Sequence, residues 1–198
     1  MRQILLIVLS AAAIAAGAQS KKQKQLEQAF ITYYCGCLSD IAKAEPEQIL
    51  YNRTEVCIRK FFQDYTVLAT EIINEDYNID SLSGYERGRL LGSSIIQNGV
   101  DDLVKDCKFY RQTLSEYKHL MLDQVKAKKE NVLLRIEELK DKESQMKSKK
   151  DLAVFYTIIG VLYEFADNRK MAFEYYDKSM NVFPTTSAKG LRKLLKME

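Results

Sequence analysis

From Lys21 onward, apolar residues recur every three or four positions, and the period-two alternation of strands is missing. The pattern therefore predicts an all-α fold. A first helix is expected over 21–43, with Leu26, Phe30, Tyr33, Cys37 and Ile41 on one face. Ala44-Glu45-Pro46 ends it, and Pro46 suits the first turn of a second helix, where its missing N–H has no partner anyway. That helix, over 46–73, carries the stripe Leu50, Cys57, Phe61, Tyr65, Leu68 and Ile72. The turn-rich stretch 74–83 follows, and Ser83 with Glu86 has capping-box spacing. A third helix over 84–111 keeps Ile96, Gly99, Leu103, Cys107 and Tyr110 in register, so residues 19–111 read as a three-helix bundle. Gly88 and Gly92, one turn apart in that helix, suggest close helix packing rather than a ligand loop, because no strand precedes them.

Residues 112–150 change character. No Gly or Pro interrupts 115–150, charge is dense, and Val125, Val132, Ile136, Leu139 and Met146 leave only a narrow apolar seam. Glu138–Lys142 and Glu143–Lys147 sit at i,i+4 and support an exposed helix. The expectation is one long, charged linking helix with at most a short coiled-coil stretch, since the heptad fails at Lys129 and Glu143. Ser148 and Asp151 form a capping-type pair before the next apolar run.

That run opens the closing unit, 151–198. Counting from Ala153 as position 1, Tyr156, Ile159, Gly160, Tyr163, Ala172, Tyr176, Ser179 and Pro184 fall at positions 4, 7, 8, 11, 20, 24, 27 and 32 of a 34-residue unit. The row resembles a single tetratricopeptide (TPR) repeat over about 153–186, with Ser179 a small substitute for Ala. The resemblance implies two antiparallel helices that approach closely at Gly160 and Ala172. Tyr163 and Tyr176 fill the volume around that contact, Asp167-Asn168 supplies the turn, and Pro184 supplies the stop. It also implies a protein-interaction scaffold, with a groove lined by Val154, Thr157, Ile158, Val161, Glu164 and Phe165. The mostly apolar composition of that groove favours contact with another helix first, and an apolar ligand second. In the preceding 34 residues, Lys126 and Lys129 stand where Gly and Tyr belong, so no second copy lies upstream. The tail TTSAKGLRKLLKME reads as an amphipathic capping helix. A lone hairpin cannot bury both faces, so another element of the chain, a second copy or a partner must cover one.

Charge narrows the choice of partner. The 198 residues hold 30 Lys and Arg against 27 Asp and Glu, too balanced to argue for nucleic acid. The first residues locate the chain. Arg2, the uncharged run Ile4–Ala16 and the small-x-small triplet Ala16-Gly17-Ala18 have signal-peptide layout, with cutting expected before Gln19. A run of this length, about 20 Å as helix, falls short of the roughly 30 Å hydrocarbon core, so no membrane span is expected after cleavage. The expected destination is periplasmic or secreted.

Four cysteines, Cys35, Cys37, Cys57 and Cys107, all lie in the amino-terminal part, 19–111. In an exported chain an even number argues for disulfides, and up-down-up topology brings all four to one end of the bundle. The stripes put Cys37, Cys57 and Cys107 inward and Cys35 to one side. Cys35 and Cys37 cannot readily bond to each other within regular helix, since their side chains diverge. The i,i+2 pair also chelates poorly, and C-x-x-C is absent, so neither metal nor cofactor is expected. The lone His119 reads as a solvated surface group, and no nucleophile elbow or metalloprotease motif is present. Asn52-Arg53-Thr54 is a glycosylation triplet of a kind that arises by chance. The expected function is a non-catalytic exported scaffold that binds a helix or peptide, or self-associates. The alternatives are a thiol-based metal carrier or redox-responsive protein, and an oligomerising tether.

Overall fold

The computed structural model describes residues 20–45, 49–77 and 81–197; residues 1–18, expected to be a signal segment, and Pro46 lie outside the described residues. Among the described residues the regular structure is helical. It consists of α1 (Lys21–Ala44), α2 (Thr54–Asp64), α3 (Thr66–Asp76), α4 (Gly84–Asp106), α5 (Lys108–Gln124), α6 (Val132–Lys140), α7 (Lys149–Phe165), α8 (Arg169–Val182) and α9 (Thr186–Met197). Short 3₁₀ turns at Leu50–Arg53 and Glu143–Gln145 complete the set.

Helix α1 is the hub of the first half, touching α2, α3, α4 and α5. Its Ser20 side chain caps the start by accepting from Gln23 N at 3.1 Å. Its buried stripe is Gln23, Leu26, Phe30, Tyr34 and Leu38. The stripe is rotated from the expected one, so Tyr33, Cys37 and Ile41 are only half-buried. At about 100° per residue, Cys35 and Cys37 then sit roughly 80° to either side of the Tyr34–Leu38 line. Each faces a different neighbour. Cys37 bonds Cys57 on α2 and Cys35 bonds Cys107 at the α4–α5 junction, both with Cα atoms 5.8 Å apart.

Three expected helices are broken. The second breaks at Tyr65 (φ −103°, ψ 20°). There Thr66 Oγ1 donates back to the carbonyls of Phe62 and Gln63, each at 2.8 Å, a local bond that competes with helical geometry. The third breaks at Cys107 (φ −109°, ψ 102°), where the disulfide to Cys35 holds the backbone extended. Arg111 Nη1 meanwhile donates to the freed carbonyls of Val104 and Lys105, both at 2.8 Å. The long linking helix does not exist as one helix. It ends after Gln124, turns back through Lys126 at φ 51°, and resumes as α6. Lys126 N bonds Asp123 O at 3.0 Å and Ala127 N bonds Leu122 O at 2.9 Å, a six-to-one closure of the last turn. The return buries Val132 and Ile136, while α5 buries Tyr110, Thr113, Leu114 and Tyr117. This region is packed on both sides of the turn rather than bathed in solvent.

In the second half α7 and α8 form the most extensive helix pairing in the molecule, with α6 laid on α7. Helix α9 then packs on α8, α4 and α5, joining the closing unit to the first half. Lys189 bridges Asp101 at 3.3 Å and donates to Gln97 O at 2.6 Å, and Gly190 lets α9 sit against Leu114. One apolar cluster runs from Leu26 to Leu195.

Candidate functional site

The α7–α8 hairpin is set by small residues under large ones. A Cβ on Gly160 would stand 2.6 and 2.7 Å from two ring carbons of Tyr176, so the ring lies directly on the glycine's backbone. Tyr176, Ala172 and Ile159 are fully buried, and Tyr156 and Tyr163 nearly so. Ser179 does more than stay small. Its hydroxyl donates to Ala153 O at 2.7 Å and lies 2.9 Å from Thr157 Oγ1, satisfying two buried hydroxyls. Asp167 adopts φ 60° in the turn and Asn168 caps α8 by accepting from Met171 N at 3.2 Å. Pro184 lies past the end of α8, between α8 and α9.

The two flanks of this hairpin are covered differently. On one, α6 and the following 3₁₀ turn lie over a tyrosine cluster, in which the Tyr163 and Tyr175 ring centroids are 5.3 Å apart. Tyr156 donates to Glu143 Oε1 at 2.6 Å, and Lys140 stands 5.4 Å from the Tyr163 ring centroid. Burial first, and then the Glu143 carboxylate, push the Tyr156 phenol up to about 12. Lys140 is raised in turn by its hydrogen bonds to Tyr163 and Glu137.

The other flank carries the six residues expected to line a groove. Thr157 is fully buried and internally bonded, Val161 is buried, and Val154, Ile158, Glu164 and Phe165 are half-buried. Here α5 approaches α7 without closing on it. A cleft of about 260 Å³ remains, walled by Val161, Glu164 and Phe165 on one side and Ser115, Lys118, His119 and Leu122 on the other. Lys129 and Asp167 close one end. The polar groups are held in place. Glu164 accepts from Lys118 and from the Tyr176 hydroxyl, the latter at 2.8 Å. Lys129 pairs with Asp167 at 2.8 Å, donates to Phe165 O, and stands 4.8 Å from the Phe165 ring centroid. The walls thus offer one largely buried ion pair, Lys118–Glu164, one exposed pair, Lys129–Asp167, an exposed imidazole and the apolar surfaces of Val161, Leu122 and Phe165.

Of the six groove residues, Val161, Glu164 and Phe165 line this cleft. The facing wall went unread in the sequence, although Ser115, Lys118, His119 and Leu122 have the i, i+3, i+4, i+7 spacing of one helical stripe. Their polarity hid the signal. The four cysteines form two separate bridges and not one cluster of thiolates. No group of three or more His, Cys, Asp or Glu suited to a metal occurs among the described residues. Among those residues no helix is long and apolar enough to cross a membrane. The disulfides point to an oxidising, non-cytoplasmic environment. No family model, curated protein or solved structure matches the chain.

Proposed function

We propose that this chain is a non-catalytic, exported interaction scaffold that holds a peptide or short helix of a protein partner in the α5–α7 cleft. The observation that carries the reading is the unfilled space where Val161, Glu164 and Phe165 face α5. Its charged groups are already paired within the protein, as in Lys118–Glu164 and Lys129–Asp167. Such walls recognise a mixed polar and apolar side-chain surface by shape and hydrogen bonding. The TPR-like register of Tyr156, Gly160, Ala172 and Tyr176 supports the reading, because it resembles a hairpin type devoted to protein contact. The signal-like first 18 residues and the oxidised cysteines support export to the periplasm or beyond.

The test is site-specific photocrosslinking in the native compartment, with the reactive group at His119 on the cleft wall and, as a control, at Val67, an exposed position on α3 that does not line the cleft. The reading expects a discrete heterologous adduct from His119, absent from Val67 and weakened at least tenfold by Phe165→Asp. Adducts that are identical at both positions, or self-adducts alone, overturn it.

A further inference from the structure

The connection between α5 and α6 contradicts its own sequence. Residues 125–131, VKAKKEN, contain neither Gly nor Pro and are rich in helix formers, with Ala, Lys and Glu dominant. Yet Lys126 is held in the left-handed region at φ 51°, where a side chain costs a residue what glycine does not. Asn131 locks the turn. Its Oδ1 accepts from Lys128 N at 2.7 Å and its Nδ2 donates to Lys126 O at 3.3 Å. Straightened, the same residues would join α5 to α6 as a single helix, the conformation that the pattern of 115–150 favours locally.

Straightening swings residues 132–197 away from the first half. It strips Val161 from α5 and the α9 face with Leu191 and Leu195, all at most 1 % exposed, from α4 and α5. An isolated open chain therefore exposes a large apolar surface. The surface that fits it is the α4–α5 face of another copy, with the slot in which Gly190 meets Leu114 and Tyr110. We infer that residues 125–131 are a hinge through which two copies of this chain exchange their 132–197 halves, forming a reciprocal dimer with straightened α5–α6 helices. Every contact between the halves is then remade between copies, including Lys118–Glu164 and Lys189–Asp101. The hinge surrenders its own turn bonds and the Lys129 contacts to Phe165 and Asp167. This is the low-cost route to a closed two-fold assembly. It does not depend on the cleft binding a partner.

The experiment mixes isotopically heavy and light disulfide-bonded chains, unfolds and refolds them together at high concentration, and separates monomer from dimer. A zero-length carbodiimide crosslink then joins the carboxylate–lysine pairs for mass spectrometry. Mixed-label Lys118–Glu164 and Lys189–Asp101 links in the dimer alone are expected, while Lys22–Glu75, within the first half, stays same-label. Lys126→Gly relieves the turn and penalises the straight helix. It should weaken dimerisation roughly 10³-fold, from about 30-fold at each of two hinges. Asn131→Ala, which removes both turn locks, should strengthen it. A chain that stays monomeric after concentrated refolding, a dimer whose links are all same-label, or a dimer fraction indifferent to Lys126→Gly overturns the inference.

Discussion

Gly160→Ala adds one methyl at the most closely covered glycine among the described residues. The new Cβ would lie 2.6 and 2.7 Å from Tyr176 Cε1 and Cδ1 and 3.3 Å from Cζ. Carbon pairs prefer about 3.5–4.0 Å, so the ring must retreat by close to 1 Å. It has nowhere to go, being fully buried with its hydroxyl bonded to Glu164 at 2.8 Å. Overpacking of this kind costs about 3 kcal/mol at the upper end of its usual range. The better helix propensity of Ala returns about 1 kcal/mol. The net expectation is a loss of about 2 kcal/mol, read as a fall in urea midpoint at unchanged slope by far-UV circular dichroism. The same change elsewhere should have the opposite sign. Nothing lies within 4 Å of a Cβ on Gly36, and Gly92 would meet Phe62 at an ordinary 3.5 Å. Gly36→Ala and Gly92→Ala should each raise stability, by up to about 1 kcal/mol. Pairing Gly160→Ala with Tyr176→Leu should cost less than the two single changes summed, because the smaller side chain makes room. A raised midpoint in Gly160→Ala, or strict additivity in the pair, would refute the packing argument.

The remaining expectations concern staples, ion pairs and pH. Replacing Cys37 and Cys57 by Ser opens a loop with sequence separation 20, and replacing Cys35 and Cys107 opens one of 72. Chain entropy sets the losses at about 3 and 4 kcal/mol respectively, and equal urea midpoints for the two variants would contradict that order. Lys118→Met should destabilise by about 1–3 kcal/mol, because it strands a Glu164 side chain only 13 % exposed. The double variant with Glu164→Gln should recover part of that loss in thermal unfolding, and no recovery would mean that the pair is incidental. Tyr156 binds its proton more tightly folded than unfolded, so its contribution is intact below about pH 10 and disappears as the pH climbs to about 12. Tyr156→Phe should flatten the urea midpoint across that alkaline window, and an unchanged slope there would place the titration elsewhere.

Much of the architecture could be read along the chain because small residues announce what is placed against them. Gly160 and Ala172 anticipated a close helix pair, and Ser83–Glu86 anticipated a cap that the structure forms with both reciprocal bonds. Even so, the partner of Gly160 is the Tyr176 ring, and Ser179 serves as a hydrogen-bonding group, which spacing alone does not reveal. The gathering of four cysteines followed from topology. Their pairing did not, because neighbouring aromatics Tyr33 and Tyr34 hide where the stripe of α1 is centred, and half a helical turn decides which way each thiol faces. The cleft stayed hidden for a related reason: Lys118 and His119 read as solvated when the helix opposite is unknown.

The breaks at Tyr65, Cys107 and Lys126 lack the Gly or Pro that marks a helix end. At Tyr65 the cause is local, the Thr66 hydroxyl bonded back to Phe62 and Gln63, whereas Cys107 and the Lys126 turn are tied to distant parts of the chain. At Lys126 the opposing magnitudes can be compared. Left-handed backbone at a non-glycine residue costs about 1–2 kcal/mol. Turning back lets α7 and α9 dock on α4 and α5, burying Val161, Leu191 and Leu195 to at most 1 % exposure, and a fully buried aliphatic side chain contributes about 1.5–3 kcal/mol. The Lys129 contacts to α7 add to the same side, while the helical hydrogen bonds lost across 125–131 subtract from it. Burial wins within one chain, because a straightened single chain forfeits the contact between its halves. Straightened in two chains at once, the segment recovers that burial between copies, keeps Val132 and Ile136 packed on α7 within each copy, and sheds the backbone cost. Concentration, which acts on the pair and not on the single molecule, then selects between the two forms.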